Sequence, residues 1–400
     1  MKNPLKILHV VLYPKLYPAT NGGMQRCWNI TKQLSAYFET DLLCLQPGIK
    51  KLIDSSGEKI NKLHFIFPNS NDDTLNRFSK IKRALKYRWR FKTMSVTNSS
   101  LALAASLVSD TNKNNYDFII MEHLESVPLQ RILKKKNPKA TFIFDAHNID
   151  HILLQNQKSS EELHEIKNME SLLYKSFQLA FACSSDDAAT LRSLNNNCLN
   201  VSVIPNGTDI HFNQFYFSER KTDELNIIFC GSLDYEPNIQ GLAWFLELVW
   251  PALTPQNNNI TFTIIGRGDP TQISQLTKKS KQVHLIGEVD DVRPYYHKAH
   301  LAIVPLFSGS GTRLKIPEAM ALGVPVLSTS AGAEGIAYEH GKNILIANSD
   351  IEFIKIIEQV LQNKLPLHEI SRAARQLVEE KYSWDEIGKK IKEQLETGDL

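Results

Sequence analysis

A glycine-rich loop, two cations and one carboxylate fall within a single short stretch of this 400-residue chain, Ser308-Gly309-Ser310-Gly311-Thr312-Arg313-Leu314-Lys315-Ile316-Pro317-Glu318. The Glu-Ala-Met-Ala-Leu run from Glu318 predicts a helix, and Gly323-Val324-Pro325-Val326-Leu327-Ser328-Thr329 predicts a buried strand after it. Backbone N–H groups of Gly309, Ser310, Gly311 and Thr312, with the positive end of that helix, suit phosphate oxygens, and Arg313 and Lys315 add full charges. Glu318 falls in the first helical turn, where a carboxylate can accept two hydrogen bonds from a ribose diol. These residue types at this spacing fit a nucleoside diphosphate. The plainer alternative is a surface loop ahead of an ordinary helix.

Further polar groups stand where apolar strands end. Asp145-Ala146-His147-Asn148 follows Thr141-Phe142-Ile143-Phe144, so His147 is expected to face a ligand cleft, with Asp145 near enough to orient it. Met121-Glu122-His123 ends the preceding strand and offers Glu122 and His123 as cleft lining. Pro205-Asn206-Gly207-Thr208-Asp209 reads as a hinge first and, through Asn206, as a ligand contact second. Gly22 and Gly23 lie between the first strand and the first helix, where the lack of a side chain lets an anion or a sugar approach the backbone. Asp186 and Asp187 follow Ser184-Ser185 and read as a helix cap rather than a metal site.

What must position these groups is an alternation of strands and helices that runs through the chain twice. Strands are expected at residues 6–12, 40–45, 63–67, 118–121, 141–145, 179–183 and 201–204, with helices at 25–38, 101–110 and 160–177 among their connections. The second series has strands at 226–230, 261–265, 283–285, 301–305, 325–328 and 344–347. The fold class is therefore α/β, two Rossmann-like doubly wound domains hinged at residues 205–222. Ligands are expected at the carboxyl ends of the strands, in a cleft between the domains. Gly266-Arg267-Gly268-Asp269-Pro270 lacks the third glycine of a dinucleotide fingerprint, and no P-loop pattern occurs, so a dehydrogenase is not indicated.

Composition narrows the classes. Hydrophobic residues make up 42% and charged residues 22% of the chain, ordinary for a globular enzyme. No apolar run approaches the roughly 18 residues that span a bilayer. The run at residues 7–13 reads as a first buried strand, not a signal peptide. The five cysteines are scattered without a C-x-x-C spacing, so neither a zinc site nor a disulfide framework is indicated and a reducing cytoplasm is expected. Residues 77–92 carry Arg77, Lys80, Lys82, Arg83, Lys86, Arg88, Arg90 and Lys92 with no acid, around Phe78, Ile81, Leu85 and Trp89 at helical spacing. Such a helix suits reversible contact with an anionic membrane surface, and equally a core-facing helix with a solvated basic face. Nothing else points to nucleic acid.

Taken together, Asn21-Gly22-Gly23, Phe144-Asp145-Ala146-His147-Asn148, Val203-Ile204-Pro205-Asn206-Gly207, Ile228-Phe229-Cys230-Gly231-Ser232-Leu233, and Gly309 to Ala321 with Gly323-Val324-Pro325-Val326 resemble the retaining glycosyltransferases of the GT-B fold, group-1 or family-four type. The resemblance runs over nearly the whole chain. It implies an acceptor-side domain at residues 1–206, completed by a C-terminal helix at 383–400 that crosses back to it, and a donor-binding domain at 207–382. It implies that Glu318, matching the second carboxylate of the family's Glu-x7-Glu, binds the donor ribose; Ser310 stands where the first carboxylate falls. Arg313 and Lys315 would meet the diphosphate, replacing an Arg and Lys pair that many members carry where this chain has Gly231-Ser232-Leu233-Asp234-Tyr235-Glu236. His147 matches a histidine beside the donor sugar and reaction centre, and Gly22-Gly23 a glycine loop near the phosphate.

The implied activity is transfer of a sugar from a UDP- or GDP-linked donor to a glycan or lipid-linked acceptor in bacterial cell-surface polysaccharide or lipopolysaccharide synthesis. It would proceed without a cofactor or an essential metal, in the cytoplasm or on the inner face of its membrane. A sugar-nucleotide epimerase of the same fold, and a non-catalytic nucleotide-sugar-binding partner, are the alternatives.

Overall fold

Strands that read as continuous apolar runs belong in parallel sheets covered on both faces, and the chain builds two of them. The computed structural model describes residues 4–56, 60, 62–66, 115–155, 157–219, 224–254, 259–308 and 314–397. The basic segment at 77–92, the helix expected at 101–110 and the loop residues Gly309, Ser310, Gly311, Thr312 and Arg313 lie outside the described residues. The chain divides into two compact units, Met1–Pro205 with Ile387–Leu400, and Asn206–Glu386.

The first unit holds β1 (Lys6–Val11), β2 (Glu39–Cys44), β3 (Leu63–Ile66), β4 (Phe118–Glu122), β5 (Thr141–Ala146), β6 (Leu179–Ala182) and β7 (Asn200–Val203). They pair in parallel in the order β3-β2-β1-β4-β5-β6-β7. β4 and β6 are buried at every residue, β1 and β5 at all but the first. The helix expected across 160–177 stops at Glu170: the side chain of Asn195 takes the Glu170 carbonyl at 2.8 Å, and a 3-10 turn at Leu173–Lys175 follows.

The second unit repeats the scheme with β8 (Leu225–Cys230), β9 (Ile260–Ile265), β10 (Val283–Gly287), β11 (Leu301–Val304), β12 (Val326–Ser328) and β13 (Leu345–Ile346), in the order β10-β9-β8-β11-β12-β13. In each sheet the winding direction reverses beside the first strand, between β1 and β4 and between β8 and β11. Ligands of open α/β sheets gather at the carboxyl end of such a reversal, so the topology marks one edge in each unit.

The last helix, Trp384–Thr397, begins in the second unit, and from Ile387 its residues belong to the first. Ile387, Ile391 and Leu395, four residues apart, are buried. A Cβ on Gly388 would strike the Gln33 side chain of α1 (Gly22–Tyr37), so a glycine there lets the two helices approach closely.

Candidate active site

At the edge of the first unit, β4 ends on Glu122 and the chain turns through His123, which takes a left-handed φ of 60°. Glu122 is fully buried, and its carboxylate joins two histidines: Oε1 lies 2.5 Å from His9 Nε2, and Oε2 lies 2.5 Å from His147 Nε2. Behind His9, Nδ1 contacts Thr31 Oγ1 at 2.9 Å, and Thr31 donates to the Cys27 carbonyl at 2.8 Å. His123 stacks on His147 with ring centroids 3.7 Å apart, and its Nε2 bonds to the Tyr13 hydroxyl at 2.8 Å.

Asp145 does something other than the sequence led us to expect. Its carboxylate is gripped by Arg26, with Nη2 to Oδ1 at 2.6 Å and Nε to Oδ2 at 3.0 Å, while His147 Nε2 lies 4.0 Å from Oδ2. Glu122, read as lining, is the group that orients His147. Arg26 also donates to the Ile204 carbonyl at 2.9 Å, tying α1 and β5 to the chain leaving β7. Asn206 follows as the first residue of the second unit and is buried.

Gly22 and Gly23 are the first two residues of α1 rather than a loop before it, capped by the Asn21 side chain, which accepts from Met24 N at 2.9 Å. A Cβ on Gly23 would collide with the Tyr13 hydroxyl and come within 3.5 Å of His147 Nδ1. That glycine is needed for close packing at the site.

Burial pushes the His147 pKa down to about 3; Asp145 opposes the shift, and Arg26 and His9 reinforce it. His123 falls to about 3 for the same first reason, with His147 adding to it. Burial opposes ionisation of Glu122, but the hydrogen bond and charge of His9, with Arg26 behind, hold its pKa below the usual carboxylate range. The Cys27 thiol is pushed well up by burial and by Glu122 and Asp145. Cys27, His123 and His147, and separately Glu122, Asp145 and His147, bring ligand atoms within 4.8 Å of one another. Their donor atoms are largely engaged with protein partners, Asp145 by Arg26 and Glu122 by two histidines, which is the arrangement of a hydrogen-bond network.

In the second unit β8 ends at Cys230, and Gly231 follows it. The helix Lys315–Ala321 starts at Lys315 and carries Glu318 in its first turn. Lys315 Nζ reaches Asn238 Oδ1 at 2.7 Å and lies 4.3 Å from the Phe229 ring centroid, and a Cβ on Gly231 would stand 2.6 Å from it. Its ammonium therefore sits at the end of the first strand of this unit, although Lys315 is far from that strand in sequence. Glu318 is partly buried; burial pushes its pKa up to about 7 and Lys315 opposes the shift. Its carboxylate accepts no hydrogen bond among the described residues, and it lies within electrostatic reach of Cys230 and Tyr296.

Asp234, one of the acids after β8, is committed to structure. It accepts from Asp269 N at 2.9 Å and crowds Gly268, whose φ is +110°. Asp186 and Asp187 stand in the first turn of helix Ser185–Leu194, where Ser184 caps Asp187 N.

The structure thus brings Glu122, His123, Asp145, His147 and Gly23 together at one edge, and Lys315 with Glu318 at the other. Sequence reading missed His9, Tyr13, Arg26, Cys27 and Thr31. Two of them carried a signal: His9 is a polar residue inside the apolar run KILHVV, and Arg26 is a cation on the buried side of α1.

Comparison with known proteins adds an independent line. Residues 224–363 match the family model described as glycosyl transferases group 1. An uncharacterized 44.6 kDa protein from the cps region of Klebsiella pneumoniae is 31% identical over 42% of this chain, and the match covers 45% of that protein, less than half its length. The lipopolysaccharide 1,2-N-acetylglucosaminetransferase of Salmonella typhimurium is 23% identical over 80% of this chain and 82% of its own. Among solved structures, Anabaena HepE in complex with UDP and glucose superposes with a TM-score of 0.68 at 16% identity, covering 98% of this chain and 100% of that one. Sucrose-phosphate synthase from Thermosynechococcus elongatus gives 0.71 at 15% identity, covering 98% of each. At such identities the structural likeness establishes the two-domain GT-B fold.

Proposed function

We propose that this chain is a group 1 glycosyltransferase that transfers a sugar with retention of configuration from a nucleoside-diphosphate donor to a glycan or lipid-linked acceptor of a cell-surface polysaccharide or lipopolysaccharide. The observation that carries the reading is the placement of Lys315 and Glu318 at the carboxyl edge of β8, inside the stretch that matches the family model. Lys315, with Arg313 from the adjoining loop, neutralises the diphosphate as the bond to the sugar breaks. Fixed charges of this kind supply several kcal/mol where water is excluded, roughly 3 to 4 for a single donor aimed at a developing charge. Glu318 holds the ribose, and the first unit contributes His147 to the sugar and binds the acceptor. No resident metal or cofactor is assigned a role.

Retention follows if the acceptor hydroxyl attacks the face that the diphosphate leaves, with a phosphate oxygen taking its proton. The cps-region origin of the Klebsiella relative and the lipopolysaccharide glycosyltransferase of Salmonella support the choice of pathway class, and the UDP of the Anabaena complex supports a nucleotide donor. A cytoplasmic protein whose residues 77–92 touch the anionic inner leaflet is part of the same reading; among the described residues no helix is long and apolar enough to cross a membrane.

A thermal-shift screen of nucleoside diphosphates and UDP- and GDP-linked hexoses tests the donor assignment. A ligand at a hundred times its dissociation constant stabilises by about 2.7 kcal/mol. A nucleotide sugar that stabilises and is converted by purified protein plus a lipid-linked acceptor supports transfer. Interconversion of the sugar without an acceptor would instead show an epimerase, and binding without turnover a partner subunit.

A further inference from the structure

The hydrogen-bond chain behind His147 fixes where its proton can be. Thr31 has one hydroxyl hydrogen, and it is donated to the Cys27 carbonyl at 2.8 Å. The contact at 2.9 Å between Thr31 Oγ1 and His9 Nδ1 therefore needs its hydrogen from His9. A second proton lies between His9 Nε2 and Glu122 Oε1, 2.5 Å apart. That leaves Glu122 Oε2 as an acceptor, and its partner at 2.5 Å is His147 Nε2, which must be the donor.

We propose that Glu122 is a positioning residue that, backed by His9 and Thr31, holds His147 as the neutral tautomer protonated on Nε2, so that Nδ1 presents a lone pair to a donor-sugar hydroxyl at the first turn of α1. The sugar contact rests on the functional reading above; the tautomer does not. Nδ1 makes no hydrogen bond among the described residues, and it faces Gly23, whose missing Cβ would stand 3.5 Å away. Cys27 Sγ, 3.8 Å from Nε2, is a second and weaker acceptor for the same N–H.

Of the titratable groups around His147, Arg26 and His9 favour its neutral form and Asp145 opposes it. His9 and Tyr13 come from β1 and its exit, Arg26 and Cys27 from α1, His123 from the end of β4, and Asp145 from β5. Asp145 is neutralised by Arg26, and the Cys27 thiol stays protonated. Burial keeps His147 neutral well below physiological pH, and Glu122 stays ionised.

The test is the nitrogen spectrum of the full chain labelled with 15N-histidine, with His147 assigned by the loss of its signals in His147→Gln. Nε2 is expected to carry the hydrogen, and the pattern to hold from about pH 5 to about pH 8, the range in which an ordinary imidazole titrates. In Glu122→Leu the signals should shift toward the Nδ1–H form or average between tautomers. Glu122→Gln should restore them, because its amide oxygen accepts from His147 while its NH2 donates to His9. Sugar release from the donor that the wild type turns over should fall about tenfold in Glu122→Leu, the scale of one hydrogen bond, with affinity for the matching nucleoside diphosphate unchanged.

A wild-type His147 protonated on Nδ1, tautomers already averaged in the wild type, or a Glu122→Leu spectrum identical to wild type would each overturn the proposal. The tautomer is read on the protein alone, so it stands or falls separately from the assignment of a glycosyltransferase site.

Discussion

At the carboxyl edge of the first sheet, Glu122, His9, His147, Arg26 and Asp145 satisfy one another, whereas at the same edge of the second sheet Glu318 accepts no hydrogen bond among the described residues. Both edges arise from the same strand-order reversal, so topology explains where the polar groups are and not how they are partnered. Depth explains the difference. Glu122 and Asp145 are fully buried, and a buried ion without a partner costs several kcal/mol. Glu318 is only partly buried, so its carboxylate is not forced to find a partner inside the protein. One edge is a closed hydrogen-bond network; the other keeps a carboxylate without a hydrogen-bond partner among the described residues.

The largest effect should come from breaking the closed edge. Arg26→Met leaves the Asp145 carboxyl buried without its ion-pair partner, and is expected to cost about 3 to 5 kcal/mol in denaturant unfolding. Arg26→Met with Asp145→Leu should recover most of that loss, and a double variant as unstable as the single one would mean that the pair is not the unit holding this edge. At the open edge the comparison turns to binding. Lys315→Ala and Glu318→Ala should weaken the nucleoside diphosphate by about 1 to 3 kcal/mol, roughly ten- to a hundredfold, in a calorimetric titration. Unchanged affinity in both would remove the donor role from this edge. A smaller effect is expected of Gly23→Ala. It displaces the Tyr13 hydroxyl from His123 and should cost about 1 kcal/mol of stability, the net worth of one hydrogen bond. In a Tyr13→Phe background the same change should cost less.

The two edges also differ in how much of them the sequence revealed. The α/β class follows from local period and length, and the strands it predicts are those observed, because apolar runs of this kind can be satisfied only inside covered parallel sheets. Glu318 was legible because it lies close to Lys315 in one segment, at the spacing that puts both in one helical turn. The closed edge was legible only in pieces. Glu122, Asp145 and His147 were visible as polar ends of strands, but their pairing spans 25 residues for Glu122 and His147, 113 for His9 and Glu122, and 119 for Arg26 and Asp145. Sequence adjacency favoured Asp145 as the partner of His147. In an extended strand Asp145 and His147 point to the same side, which brings them near, yet Arg26 competes for the carboxylate with a bidentate geometry that a histidine cannot match. Lys315 shows the converse, since its ammonium reaches the end of β8, where no local signal placed a cation.

The weakest effect is the one that separates the edges by pH. Burial raises the Glu318 carboxyl to about 7, with Lys315 opposing, so the group gains its charge as pH rises through that value. A folded-state pKa above the unfolded one means that Glu318 favours the native state most at low pH, and that this contribution fades as pH climbs from the ordinary carboxylate range through about 7. Ligand binding should run the other way. A ribose diol donates best to the ionised carboxylate, so affinity for a nucleotide sugar, whose diphosphate diester does not titrate in this range, is expected to rise between about pH 6 and about pH 8 by less than tenfold, one pKa unit of coupling. Glu318→Gln should flatten that rise while His147→Gln leaves it in place, because the closed edge holds His147 neutral throughout. Affinity that instead falls with pH would mean that repulsion between Glu318 and the diphosphate outweighs the diol bonds, and the ribose would then have to be held by another group.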